Sequence, residues 1–503
     1  MSKLKLFPTL RWWHCIVALL SLSACSNSLK NYNAEKKYAS NELHSDYRQM
    51  KTVLEAKHPS LYWYTDKDSM DFYFRYYENK IPDSMTERDF VWKILAPLVN
   101  KIHCGHTGAG MSRNYEKWAT NRKFSLFPLM LKVWNDTMAV TGNMLPKDTI
   151  FKRGTIITAI NDMPAKTIIH EMLDALREDG YAHNVNYIRI SGSFPVLHRN
   201  LYGLSKQYKI QYLDSMGVDH VAILPLYEPA KDSSENKKTT RNIRNVVKKT
   251  SRLQRKRSLL TDSSGTYSVM QLNSFSGWDL RHFFRKSFRN LKNEKIKHLV
   301  IDLRNNGGGD VNTSILFTKY LSNQPFRITD SCYSFTRNLK PYTGMFSGKW
   351  LLNLQWLLLT RKNKDGNFHL NIYEKKLYRP KKKNHYNGKV YVLINGPTFS
   401  ASTLFANIVK GQKNIQLVGE ETGGGWYGNN GIMIPRFTLK NTKIQVRIPL
   451  FRVVQYQHGI KDGKGIPPDI FIPTDYEYLK KGADKKMDVV KQLIIESEEY
   501  IKH

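Results

Sequence analysis

The chain is poor in acidic residues. Its 503 residues include 43 Asp and Glu against 78 Lys and Arg, which gives a formal net charge of +35. A surface with this charge attracts anionic partners such as phospholipid headgroups, lipopolysaccharide or nucleic acid. The imbalance therefore limits the class of surface partner, while the fold has to be argued from other features.

Cysteine is also scarce, with four residues at positions 15, 25, 104 and 332. One short segment, HCGHTG at residues 103–108, combines cysteine with histidine, and no second Cys/His cluster follows at ligand spacing. We therefore predict no metal site and no cofactor, and we interpret one of these histidines as a base or a core residue. The chain also lacks the Gly-Lys-Ser/Thr sequence of a phosphate-binding loop.

The N-terminal apolar run, CIVALL at residues 15–20, is too short to cross a bilayer. It follows three basic residues and precedes LSAC at residues 22–25, which is the three-part pattern of a secretory signal. LSAC resembles the lipobox of bacterial lipoproteins. That resemblance implies cleavage before Cys25 and attachment of diacylglycerol to its sulfur; the alternative is an ordinary signal peptide with a chance cysteine.

Export decides which anionic partners the chain meets. We predict a lipid-anchored location in the cell envelope, facing the periplasm or exposed at the surface, with the membrane and an anionic envelope surface as partners and no nucleic acid. If Cys15 is removed and Cys25 is acylated, only Cys104 and Cys332 remain to form a disulfide in an oxidising compartment. Sequence leaves open whether these two residues meet.

The length and the 41% hydrophobic content allow a large core divided among several domains. Apolar residues from Tyr47 to Leu54 recur at spacings of three and four, which indicates helices near the N-terminus. Later runs alternate between strand-like and helical patterns, which predicts a mixed or parallel sheet. The predicted units are a signal peptide (1–25), a helical N-terminal domain (26–118), a sheet-rich domain (119–225), a basic mobile insertion (226–262) and an α/β catalytic domain (263–503).

The stretch NGPTFSAST at residues 395–403 separates a strand from a helix. KVYVLI at residues 389–394 has the β-branched and aromatic residues of a buried strand, and the apolar spacing after it is helical. This arrangement lifts a side chain off the end of a sheet and leaves N–H groups free at the helix N-terminus, where developing negative charge is stabilised. Ser400 is therefore a candidate nucleophile; the alternative is that Ser400 or Ser402 is a helix N-cap.

Four motifs in this order resemble those of the S41 family of serine peptidases. They are LRNNGGG at 303–309, TFSAS at 398–402, VGEETGGG at 418–425 and GIPPDI at 465–470. TIFKRGTIITAINDMPA at residues 149–165 also resembles the second half of a PDZ domain, a domain type that binds extended peptides by strand addition. The resemblance spans roughly residues 95–475 and implies an α/β fold in which a mixed-sheet S41 catalytic core carries a PDZ-like domain and a helical N-terminal domain.

The resemblance also implies the catalytic residues. Ser400 stands at the family's nucleophile, with Ser402 as the alternative. Processing peptidases of the family use a Ser–Lys dyad, but their lysine position is Gly425 here. The tricorn-like branch uses a serine, a histidine and an acid, and its histidine motif is similar to CGHT in this chain, so His106 is the expected base. The acid position implies Asp462.

The same resemblance implies that the backbone N–H groups of Gly308 and Ala401 bind the oxyanion. A serine hydroxyl is a poor nucleophile until a base removes its proton, and an acid orients that base. We therefore predict a serine endopeptidase that cleaves peptides or unfolded envelope proteins through an acyl-enzyme on Ser400. Two alternatives stay open: an inactive relative that binds peptides, and an envelope lipoprotein whose basic surface binds anionic glycans or lipopolysaccharide.

Overall fold

The computed structural model describes residues 32–120, 122–229 and 257–502. The signal segment with Cys25 and most of the predicted insertion 226–262 lie outside the described residues. Five β-sheets and many helices make up the described part, so the predicted mixed α/β class is confirmed. No helix in these ranges is both long and apolar enough to cross a membrane.

The helices follow the apolar periodicity of the sequence. In chain order the helical segments are Ser40–Lys57 (α1), Lys67–Asn79 (α2), the continuous segments Glu87–Asp89, Phe90–Leu95 and Ala96–Asn100 (together α3), Arg113–Ala119 (α4), Ala165–Asp174 (α5), Asn184–Tyr202 (α6), Leu280–Asn293 (α7), Val311–Thr318 (α8), a 3-10 turn at Tyr342–Met345, Lys349–Leu359 (α9), Asn371–Glu374 (α10), Ala401–Val409 (α11), Tyr476–Lys481 (α12) and Lys485–Lys502 (α13). Helix α1 buries Leu43, Tyr47, Met50 and Leu54, which is the predicted spacing of three and four.

The strands are short, as is usual for a protein with several small sheets. In chain order they are Lys37–Ala39 (β1), Ser84–Thr86 (β2), Gly108–Gly110 (β3), Leu129–Trp134 (β4), Thr137–Asn143 (β5), Ile156–Ile160 (β6), Met163–Pro164 (β7), Gln207–Leu213 (β8), Asp219–Pro225 (β9), Arg257–Thr261 (β10), Tyr267–Leu272 (β11), His298–Asp302 (β12), Thr329–Ser334 (β13), Arg361–Lys362 (β14), Phe368–His369 (β15), Lys389–Ile394 (β16), Ile415–Gly419 (β17), Gly428–Gly431 (β18), Arg436–Thr438 (β19), Gln445–Arg447 (β20), Phe451–Gln455 (β21) and Ile470–Phe471 (β22).

The central sheet has the order β10-β11-β12-β16-β17-β22. Strand β10 is antiparallel to β11, and every other neighbouring pair is parallel. Strand β16 lies inside the sheet, between β12 and β17. Because parallel strands end at the same edge, the turns after β12 and after β16 lie side by side there.

Strand β16 is buried on both faces. Val390, Val392 and Ile394 join a core with α7, α8 and α11, whereas Tyr391 and Leu393 face α13. Successive residues of a strand point to opposite faces, so a strand covered on both sides reads as an uninterrupted apolar run. This is the physical reason why the sequence run preceding the nucleophile turn was recognisable as a strand.

A second sheet occupies the range in which the PDZ-like domain was predicted. Its strands have the order β4-β5-β6-β8-β9, with β7 paired to β6, and all pairs are antiparallel. Helices α5 and α6 cover one face through a core that includes Phe127, Ile168, Phe194 and Tyr208. The arrangement is a sheet with two helices, and the PDZ resemblance itself stays a prediction.

The remaining sheets connect the two ends of the chain. One has the order β14-β15-β13-β21-β18, another pairs β3 with β20 and β19, and β1 pairs with β2. Tyr47 and Phe74 of the N-terminal helices share one core with Phe437 and Phe451. Within the described residues, the predicted helical segment 26–118 is therefore joined by its core to C-terminal strands.

Hydrogen bonds to Asp46 connect helix α1 to the turn before β20. Its side chain is fully buried and accepts hydrogen bonds from the backbone N–H groups of Asn441 and Thr442, at 2.8 and 2.7 Å, and from the Thr442 hydroxyl at 2.6 Å. Removing one partner of a buried hydrogen bond leaves the other desolvated and unpaired.

We expect Asp46→Ala to lower the free energy of unfolding by roughly 3 kcal/mol, since two buried donors of Thr442 and two part-buried donors of Asn441 lose their acceptor. Urea unfolding followed by circular dichroism measures this change. Asp71→Ala, which removes an exposed ion pair with Lys67 within α2, is the matched control and should change the stability little. Equal effects of the two substitutions would contradict the role assigned to Asp46.

Candidate active site

Ser400 lies at a strained turn between β16 and α11. Its φ is +58° and its ψ is −122°, a backbone conformation that residues with a side chain rarely adopt. The turn is held next to the end of strand β12 because the Thr398 hydroxyl donates to the Leu303 carbonyl at 3.0 Å. Ser400 precedes the first helical residue, yet its side chain makes no capping hydrogen bond. The serine is thus presented away from the helix that it precedes.

The hydroxyl of Ser400 meets His106. The distance from Ser400 Oγ to His106 Nε2 is 3.1 Å, across 294 positions of sequence. His106 is 5% exposed, and its ring packs on that of Phe399 with 4.9 Å between centroids. The structure therefore brings the predicted nucleophile and the predicted base into hydrogen-bond contact.

Pairing between β3 and β20 holds the loop of His106. The loop leads directly into β3, where Gly108 pairs with Arg447. The Arg447 side chain reaches back and donates from Nε to the His106 carbonyl at 2.9 Å. A C-terminal strand thus fixes the position of an N-terminal histidine.

Burial, followed by the positive charges of Arg447, Arg177 and Arg189, lowers the pKa of His106 to about 3. The imidazole is therefore neutral at neutral pH, which is the form that accepts a proton. Its Nδ1 is buried without a hydrogen-bond partner among the described residues. A proton on Nδ1 leaves Nε2 free to accept from the Ser400 hydroxyl, and this tautomer is assigned from the contacts.

Asp462 is not in contact with His106. It is exposed, and its Oδ1 accepts the backbone N–H of Lys464 at 2.9 Å within its own loop. We therefore correct the assignment of Asp462 as the acid that orients His106. The resemblance to the family motif pointed to the loop of Asp462. The short Asp462 side chain, however, closes a turn within that loop and does not reach the imidazole ring of His106.

Asp179, a buried acid close to His106, was not among the residues predicted from the sequence. Its Oδ1 accepts the backbone N–H of Gly105 at 2.7 Å, and its Oδ2 has no hydrogen-bond partner in the described part of the chain. Burial raises the pKa of Asp179 to about 7. The residue lies between α5 and α6 in the segment REDGY (177–181), which carries no recognisable motif, so only the tertiary contact identifies it.

The two predicted oxyanion donors differ in this structure. Gly308 lies against the serine turn, and a Cβ on it would come within 2.7 to 2.9 Å of atoms of Phe399, Ser400 and Ala401. Its own N–H donates to the Asn306 side chain at 3.0 Å. The N–H of Ala401, at the first helical position, has no intrahelical acceptor and is available to an oxyanion.

The other residues singled out from the sequence lie elsewhere. Ser402, the alternative nucleophile, is fully buried inside α11. Cys104 and Cys332 are buried free thiols. The Cys104 sulfur accepts from the Asn430 amide at 3.4 Å, and the His103 ring packs on Tyr181 at 4.6 Å. The side chains of the HCGHTG segment thus have separate partners.

Comparisons with known proteins give the family of the central part. Residues 266–472 match the sequence profile of peptidase family S41. These residues therefore form a peptidase family S41 domain, which confirms the predicted resemblance for this stretch. Ser400, Gly308 and Asp462 lie inside the matched range, and His106 lies before it. No curated protein sequence matches the chain.

Among solved structures, the chain is similar to that of mature CPAF, with 14% identity, a TM-score of 0.63 and coverage of 91% of this chain and 97% of that chain. It is also similar to mature CPAF complexed with lactacystin, with 14% identity, a TM-score of 0.62 and coverage of 91% and 98%. At this identity the likeness shows a shared fold. The shared fold extends well beyond the S41 domain into the parts that carry His106 and Asp179.

The raised pKa of Asp179 predicts a pH-dependent stability. Between about pH 4 and pH 7 the folded state binds more protons at Asp179 than the unfolded state, so this group's contribution to stability falls as the pH rises through that window. The Tm of wild type minus the Tm of Asp179→Asn should therefore decrease from about pH 4 to pH 7. Thermal unfolding of both proteins across this range measures it, and a constant Tm difference would contradict the assignment.

Proposed function

We propose that this chain is a serine peptidase that hydrolyses peptide bonds through an acyl-enzyme, with Ser400 as the nucleophile and His106 as the base. The observation that carries the proposal is the 3.1 Å contact between Ser400 Oγ and His106 Nε2. The strained turn of Ser400 lies inside the peptidase family S41 domain, and His106 lies before that domain in the chain. Such a turn exposes the hydroxyl at the edge of a sheet, where a substrate carbonyl has access to it.

The reaction follows from these positions. His106 Nε2 takes the hydroxyl proton as Ser400 Oγ attacks the carbonyl carbon, and the oxygen of the tetrahedral intermediate receives a hydrogen bond from the Ala401 N–H. Collapse of the intermediate breaks the C–N bond, and the leaving amine takes the proton from His106. Water then enters, gives a proton to His106 and attacks the acyl carbon. The bond between the acyl carbon and Ser400 Oγ breaks, His106 returns the proton to Oγ, and the acid is released.

Asn306 controls a second oxyanion donor in this proposal. The Gly308 N–H is at the serine turn, but it donates to the Asn306 side chain. Asn306 is fully buried, and its Nδ2 donates to the Leu272 carbonyl at 2.8 Å, so the side chain is held in place. The resting site therefore offers the Ala401 N–H as its oxyanion donor.

The location and substrate class follow from the sequence. The lipobox-like LSAC segment and the net charge of +35 support a lipid-anchored protein at an anionic face of the cell envelope. Peptides or unfolded envelope proteins are the proposed substrates. We propose an extended chain as the substrate because Ser400 is only half-exposed and its partner His106 is buried.

A second candidate function is an inactive protein that binds peptides. The observation in its favour is the unpartnered Nδ1 of His106, since no described acid orients the ring or stabilises the imidazolium that forms during acylation. The two functions differ in turnover, because only the peptidase releases cleaved products.

Digestion of a denatured protein by the soluble form that starts at Ser26 tests the proposal. Mass spectrometry should show peptide products from wild type. Ser400→Ala should lower the rate by at least about a thousandfold and His106→Ala by at least about a hundredfold, because the first removes the nucleophile and the second the base.

Ser402→Ala is the matched control, since it removes a neighbouring hydroxyl that is buried within the helix. It should keep activity within a few-fold of wild type. Cleavage that survives Ser400→Ala would exclude Ser400 as the nucleophile. Peptide binding by wild type and Ser400→Ala without any cleavage would favour the inactive peptide-binding protein.

A further inference from the structure

Three arginines converge on one side of the β3–β20–β19 sheet. Arg436 of β19 stands directly opposite Arg447 of β20, and Arg447 in turn stands opposite Gly108 of β3. Like charges at directly opposed positions of neighbouring strands repel each other. The chain therefore places two guanidinium groups together where the pairing alone would disfavour them.

A third guanidinium completes the group. Arg177, from the segment after α5, lies across the glycine strand, and a Cβ on Gly108 would be 2.5 Å from its Nη1. The absence of a side chain at Gly108 therefore makes room for the arginine. Together these groups form a cavity of about 110 Å³, the arginine pocket, lined by Gly108, Ala109, Gly110, Glu116, Arg177, Arg436, Gln445 and Arg447.

The protein does not neutralise these charges. Arg177 donates from Nε to the Gly105 carbonyl at 2.9 Å, and Arg447 donates to the carbonyls of His106 and Gly105 at 2.9 and 3.4 Å. None of the three arginines forms an ion pair with a carboxylate in the described ranges, and Glu116 at the rim forms none either. Arg436 is exposed, whereas Arg177 and Arg447 are half-buried. Half-buried guanidinium groups without a counter-charge are costly, which indicates a ligand beside Arg177 and Arg447.

We propose that the arginine pocket binds an oxyanion group, either the carboxylate of a peptide or a free phosphate. Guanidinium groups recognise both through paired N–H donors, and several arginines around one cavity supply them from different directions. Gln445 and the glycine-containing strand β3 also line the pocket, and the Gln445 Nε2 donates to the Thr438 hydroxyl at 2.8 Å. The cavity has room for one such group and excludes a bulky ligand.

An oxyanion bound in the arginine pocket would change the basicity of His106. Arg177 and Arg447 hold the carbonyls of Gly105 and His106, and the charges of these two arginines contribute to the low pKa of His106. A bound oxyanion offsets those charges, so His106 becomes more basic and the imidazolium formed during acylation is less disfavoured. This consequence rests on the proposed peptidase function, whereas binding to the pocket does not.

Thermal unfolding with added inorganic phosphate tests binding without reference to activity. At matched ionic strength set with chloride, wild type should show a saturable increase of Tm with phosphate. Arg177→Gln and Arg436→Gln should each weaken the apparent affinity for phosphate at least about tenfold, since each removes a charged donor. Arg281→Gln, an exposed exchange on α7 outside the pocket, is the matched control and should keep the wild-type response.

A second arm identifies the source of the oxyanion. A labelled hexapeptide with a free C-terminal carboxylate and its amidated form are titrated against Ser400→Ala, which cannot form the acyl-enzyme. A preference for the carboxylate that Arg177→Gln removes assigns the pocket to a peptide terminus, and a phosphate response without that preference assigns it to a free anion. The proposal is overturned if neither ligand binds, or if Arg177→Gln and Arg436→Gln respond like wild type.

Discussion

The contact between Ser400 and His106 depends on close backbone approaches between distant parts of the chain. Gly308 lies against the serine turn, and a Cβ on Gly105 would be 2.5 Å from the Phe399 ring. A side chain at either position would push the two segments apart. The 3.1 Å distance between hydroxyl and imidazole is therefore a property of the packing of glycine-bearing loops, and every catalytic role proposed for Ser400 rests on it.

The sequence predicted the parts of the site that depend on local structure. Strand β16 and the turn at Ser400 were recognisable because an uninterrupted apolar run before a polar turn has few alternative structures. Asp462, in contrast, was implied only by the resemblance to the tricorn-like branch, and its side chain bonds within its own loop. The position of Asp179 and the hydrogen bond from the Gly308 N–H to the Asn306 side chain depend on packing contacts that leave no recognisable motif. The helical N-terminal segment was predicted as a separate unit, but its core is shared with C-terminal strands.

Charge is the unusual feature of this site. A serine–histidine pair commonly has an acid behind the histidine, whereas here arginines surround the loop and Nδ1 is unpartnered in the described chain. The resting base is therefore neutral but weak. The carboxylate of Asp179 accepts a hydrogen bond from the backbone of Gly105, the residue before His106, and makes no hydrogen bond with the imidazole ring. An anion in the arginine pocket would supply compensating negative charge.

The most direct test of the account is covalent labelling of the resting enzyme with a fluorophosphonate, followed by peptide mapping. The account predicts one adduct per chain, on Ser400, and a labelling rate that falls at least about a hundredfold in His106→Ala because the hydroxyl loses its base. An adduct on another serine, or labelling of Ser400 at the same rate without His106, would contradict the central claim that these two residues act as a pair.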